Sequence, residues 1–158
     1  MTFERVEIVN FNKRYMKRLE AVTFKYNRTC AAVNATWILN INVGYNLNVV
    51  IQAYKFASNE YRLFPMRLQL NACEAINKDV AGLKGYFLQN QLITFCNWSP
   101  DQAHLPPFMP NGKYMLELQG LFKTSEIYLL RAYITIYRSI VFKIRLSLNV
   151  IKADRYCW

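Results

Sequence analysis

Histidine is nearly absent from this sequence: His104 is the only one, and the four cysteines form no C-x-x-C pair. A metal centre needs His, Cys, Asp or Glu clustered at ligand spacing, so none is expected. His104 lies near Asp101 in a proline-rich stretch, which leaves a pH-sensitive contact or an ordinary solvated loop residue as its two readings. Also missing are G-x-S-x-G, a Walker A loop and G-x-G-x-x-G, and with them the signatures of a hydrolase elbow, a nucleotide cradle and a dinucleotide fold. No catalytic residues are expected, no cofactor, and no enzyme.

Glycine and proline are scarce, at 5 each, which excludes a fibrous or low-complexity chain. No apolar run approaches the roughly 18 residues needed to span a bilayer as a helix. The start, Met1-Thr2-Phe3-Glu4-Arg5, shows neither an apolar h-region nor a small-residue cleavage site. Acidic residues are few, 10 against 20 Lys and Arg, for a net charge of +10. That balance favours anionic partners such as acidic headgroups, nucleic acid or a negatively charged cell surface. Because no run of five or six like charges occurs, a generally basic soluble surface is the preferred reading over a specific anion site.

What is abundant is apolar and aromatic: 53% hydrophobic residues, with 11 Tyr and 10 Phe in 158 residues. A chain of this length makes one domain with one core. Alternation predicts strands at Thr2 to Val9, Leu19 to Lys25 and Thr29 to Asn42. It predicts a hairpin of Leu47 to Phe56 with Tyr61 to Leu70, and further strands at Lys113 to Gln119, Glu126 to Tyr137 and Ile140 to Val150. In the penultimate strand, Tyr128, Leu130, Ala132, Ile134 and Ile136 form a purely apolar face. Between Cys73 and Cys96 the period changes: Ile76, Val80, Leu83 and Phe87 fall on one helical face. A helix from Glu74 to about Gln91 is expected, followed by a loop carrying Pro100, Pro106, Pro107 and Pro110 and a turn at Asn111-Gly112. Tyr and Arg interleave at Tyr128, Arg131, Tyr133, Tyr137 and Arg138. This could be a stacking platform for single-stranded nucleic acid, but ordinary strand packing is preferred, and no nucleic-acid partner is expected.

The order FPMRLQLNACEAI, a helix, TFCNWSP, then LPPFMPNGKYMLELQGLF resembles the insect domain-of-unknown-function 1091 family, which includes the fly CheB-type proteins. That family is distantly similar to the ganglioside-activator and ML-type lipid-recognition proteins. The resemblance runs from about Thr2 to about Arg138; its most specific parts are the cysteine pair and the turn of Pro110, Gly112 and Tyr114. It implies a mainly β, antiparallel immunoglobulin-like sandwich over 1–138, with 139–158 a divergent strand and tail. It also implies a secreted, glycosylated, monomeric protein, so the present sequence is read as lacking its leader. The sequons Asn27-Arg28-Thr29, Asn34-Ala35-Thr36 and Asn97-Trp98-Ser99 are consistent with export.

The implied function is binding of a lipid or other small apolar ligand, a chemosensory role included; from their positions, Leu83, Phe87, Phe108, Met109 and Tyr114 are the expected lining or gate residues. The alternative is a protein-interaction domain with a solid core, whose basic surface docks on an acidic extracellular partner such as a receptor or membrane surface. A disulfide between Cys73 and Cys96 is expected, against the reading of two buried thiols. Cys30 and Cys157 are left outside it. Such a bridge requires the helix to break near Gly82 or Gly85, because an unbroken rod would carry its ends roughly 27 Å apart.

Overall fold

A computed structural model describes residues 2–28, 30–78, 88–89, 92–99 and 109–138. The strands are β1 (Thr2–Phe11), β2 (Met16–Lys25), β3 (Ala31–Leu39), β4 (Leu47–Ala57), β5 (Glu60–Asn71), β6 (Leu88–Gln89), β7 (Leu92–Trp98), β8 (Gly112–Phe122) and β9 (Ser125–Ile136). A 3-10 turn, Gly44–Asn46, precedes β4, and the short helix α1, Ala72–Asn77, follows β5. Sheet A has the order β1-β9-β8-β4-β5 and sheet B the order β2-β3-β7-β6, with every described pairing antiparallel. Two antiparallel sheets make this a mainly β protein of the sandwich kind.

Alternation fixes which side of each strand turns inward. Across sheet A, Ile51, Leu118 and Leu130 are in register, as are Ala53, Leu116 and Ala132. All five apolar residues expected on one face of β9 are buried, from Tyr128 at 2% exposed to Ile136 at 0%. Opposite them, sheet B contributes Leu19, Val33, Ala35, Leu39 and Ile93 to the same two core clusters. Where a strand carries an extra residue, the alternation slips. Gly120 pairs with Tyr128 but Leu121 with Glu126, so Ile127 is bulged and both it and Tyr128 are buried.

Turns and sheet edges follow local chemistry. Ser58 and Asn59 both have positive φ, 52° and 64°, which makes the β4–β5 connection the two-residue type I′ turn that matches strand twist. In the β1–β2 connection, the Asn12 carbonyl accepts from the Tyr15 and Met16 amides, carrying the chain from sheet A to sheet B. The two edge strands β1 and β2 are then tied together: the Val6 amide donates to Thr23 Oγ1 at 2.9 Å. One side of the sandwich is closed by that bond.

Gly112 and Tyr114 anchor the turn singled out in the sequence. Gly112 has φ of +148°, and a Cβ there would meet the Lys55 side chain at 3.2 Å, so only glycine fits without strain. Tyr114 is 0% exposed, and its hydroxyl donates to the Pro110 carbonyl at 2.8 Å.

Two expectations are corrected. The described helix is the six residues of α1, and by Leu88 the chain is already strand, pairing with β7 through Leu88–Ile93 and Gln89–Leu92. A helix reaching Gln91 would leave that edge of β7 unpaired. Cys73 and Cys96 are not bonded to each other: Cys96 is in a disulfide, but Cys73 is not its partner. The two cysteines stand on different elements. Cys73 sits on α1, which packs on β4 and β5 of sheet A, while Cys96 lies in a bulge of β7 in sheet B. The expected strand Ile140 to Val150, the segment 139–158 and the expected break at Gly82 or Gly85 lie outside the described residues.

Candidate functional site in the space between the sheets

In a tightly closed sandwich, inward side chains at mid-strand are the best buried of all. Here Ala35, Ala53, Leu130 and Ala132 are buried, but several larger inward side chains are not. Ile51 of β4, Leu116 and Leu118 of β8, Trp37 of β3 and Phe95 of β7 all point inward and are only partly buried. Other inward residues of the same strands, Leu47, Ala53, Tyr114, Leu39 and Ile93, are at most 4% exposed. Two core clusters therefore flank a central zone, and Trp37, Phe95 and Leu118 pack against both.

The walls of this zone are apolar and partly aromatic. Trp37 packs against Phe95 at 5.3 Å between ring centroids and against Tyr128 at 5.0 Å, both tilted. Trp37 Nε1 is buried and has no hydrogen-bond partner among the described residues. Burial pushes the Tyr128 phenol well above its ordinary pKa, so it stays neutral and the surroundings carry no charge from it. Such a zone can hold hydrocarbon, and its described walls are apolar and aromatic.

The expected lining residues are distributed differently. Met109 and Tyr114 are wholly buried in the cluster that also holds Ala53, Met66 and Ile134, at one end of the central zone. Leu83, Phe87 and Phe108 lie outside the described residues, as do His104 and Asp101. Of the sequon asparagines, Asn27 and Asn34 are exposed and Asn97 is partly buried. Cys96 and Asn97 both lie opposite Asn34 in a bulge, where Asn97 has φ of 52° and donates its amide to Asn34 Oδ1 at 2.8 Å. Among the described residues no group of three His, Cys, Asp or Glu could hold a metal, and no helix is long and apolar enough to cross a membrane.

Sequence reasoning missed Ile51, Trp37, Phe95, Leu116 and Leu118 as site residues. Their inward direction is readable from alternation, but their incomplete burial depends on the opposite sheet.

Two other surfaces were candidates. A cavity of about 160 Å³ is lined by Thr2, Phe3, Lys25, Asn27, Arg28, Cys30 and Ala31, below the roughly 300 Å³ at which ligand pockets begin. The outer face of sheet A carries a polar network instead of a free basic patch. Glu117 accepts from Arg131 Nε and Nη2 at 3.0 and 2.9 Å and from the Tyr54 hydroxyl at 3.1 Å. Tyr133 donates to Glu7 at 3.0 Å, with the Arg5 guanidinium 3.8 Å above its ring. Lys13, Arg14, Lys17, Lys25 and Arg28 are exposed along β2 and its flanking turns, and Arg67, Lys113 and Lys123 elsewhere, while Arg18 is paired with Glu20.

No protein-family model matches the chain, and no curated protein matches it in sequence.

Proposed function

We propose that this protein is a secreted, non-enzymatic binding protein that holds a lipid or other small apolar ligand between the sheets of an immunoglobulin-like sandwich, and that it is a divergent member of the insect domain-of-unknown-function 1091 family. The observation that carries the reading is the partial exposure of the inward residues Ile51, Leu116, Leu118, Trp37 and Phe95, three of which lie where the two core clusters meet. Water in contact with such walls is displaced by hydrocarbon, at about 0.8 kcal/mol per buried CH₂. The immunoglobulin-like type is supported by the Tyr114 hydroxyl, which bonds a backbone carbonyl four residues upstream as a tyrosine corner does. Organic extraction of the protein, produced with a secretion leader and analysed by mass spectrometry, is expected to release a stoichiometric lipid. A lipid-free protein that also fails to bind an apolar fluorescent dye would overturn the reading.

A second reading has its own observation. The exposed cations along β2, with Glu20 already engaged by Arg18, form a margin suited to an acidic extracellular partner or membrane surface. Binding to heparin or anionic vesicles that falls when Lys13, Arg14 and Lys17 are replaced by Gln, with lipid content unchanged, would favour it.

A further inference from the structure

Trp37 Nε1–H is a buried donor with no hydrogen-bond partner among apolar and aromatic neighbours. Such a group has lost its water and gained nothing in return, at a cost of about 1–3 kcal/mol. Native interiors satisfy nearly all buried donors, and an exception calls for an explanation. Trp37 also stands where the two core clusters meet, beside the half-buried Phe95 and Leu118, which is where a ligand between the sheets would lie.

We infer that the ligand is not a plain hydrocarbon but a chain bearing an uncharged hydrogen-bond acceptor, such as an ester, ketone or aldehyde oxygen, which receives the Trp37 indole N–H. The inference rests on the ligand-binding reading above. An ionised carboxylate is disfavoured, because a buried charge needs an opposite charge or several donors. Here the ring neighbours are Phe95 and Tyr128, and the Tyr128 phenol is held neutral by burial. One good hydrogen bond in this setting corresponds to about tenfold in affinity. Ring rearrangement around Trp37 admits the acceptor, since the N–H is covered in the ligand-free protein.

The test uses the full chain with N-phenylnaphthylamine as the displaceable reporter, and a medium-chain methyl ketone against the alkane of equal carbon number. Trp37→Phe should weaken the ketone about tenfold and leave the alkane within about twofold. On the unmutated ¹⁵N-labelled protein the Trp37 indole N–H should move downfield with the ketone and not with the alkane, a readout independent of how Trp37→Phe folds. Equal loss of both ligands with an unmoved indole resonance overturns the inference while leaving the ligand reading standing; the N–H is then satisfied by the ring faces of its neighbours. If neither compound displaces the reporter and no dye binds, the ligand reading fails and the inference with it.

Discussion

Gln52 shows how one side chain repairs a break in a sheet. Pairing runs from Gln52 opposite Arg67 to Tyr54 opposite Leu63, so Phe64, Pro65 and Met66 all lie across from Ala53. Proline cannot donate to a ladder, and this irregular edge strand leaves carbonyls without amide partners. Gln52 Nε2 lies within 3.0 to 3.1 Å of the Ala53, Phe64 and Met66 carbonyls. Gln52→Ala should cost about 1–3 kcal/mol in urea unfolding. Gln52→Glu should cost more at neutral pH, where its carboxylate has no proton to donate, and should recover part of the loss on mild acidification; equal stability of the two variants would contradict this role. Gly120 presents the opposite problem, too little room. A Cβ there would clash with the Tyr128 ring. Gly120→Ala should destabilise by about 1–3 kcal/mol, and pairing it with Tyr128→Leu should relieve part of the clash, giving a coupling in a double-mutant cycle.

At the scale of elements, closure of the β1–β2 side depends on a hydroxyl that no strand pattern singles out. Thr23→Val keeps shape and β-propensity but leaves the Val6 amide without the 2.9 Å bond it now makes. The expected loss is about 1 kcal/mol, with faster hydrogen exchange at the Val6 amide; unchanged exchange would show that the edge is held by packing alone. Most strands were legible in the sequence. β4, β8 and β9 alternate cleanly, and their inward residues are the ones expected. The expected reach of the helix to Gln91 read less well, because local periodicity takes no account of β7, whose edge the backbone of Leu88 and Gln89 pairs. The bulges at Ile127, at Cys96-Asn97 and around Pro65 were equally hidden, since a bulge exists only relative to the strand beside it.

The molecule as a whole should be sensitive to alkali. Burial raises the pKa of Tyr114 and Tyr128. Burial first, and then the hydrogen bond to Glu117, raises Tyr54; burial, then the charge of Glu4, raises Tyr61. For each, the folded state prefers the neutral phenol more than the unfolded chain does, whose phenols titrate near about pH 10. The stability this contributes is fully present below that pH and is lost as pH rises through the higher folded values. Phenolate absorbance should therefore rise in two phases across the 11 tyrosines, the second coinciding with loss of the β-sheet circular dichroism signal. A single phase near pH 10 with structure retained would contradict the shifts.

By itself the sequence determined the mainly β class, the inward face of most strands and the Pro110–Tyr114 turn. It also bounded the chemistry by its lack of metal clusters and catalytic motifs. These are properties of neighbouring residues, set by the two-residue period of a strand and the φ limits of glycine and proline. Only the tertiary structure decided that Cys73 stands on α1 and Cys96 in a bulge of sheet B, that Asn34 and Asn97 meet across that bulge, and that Trp37 keeps an N–H without a partner among the described residues beside half-buried Leu118 and Phe95. Each of these joins residues distant in the chain, and the spacing of two sheets depends on all the side chains between them at once.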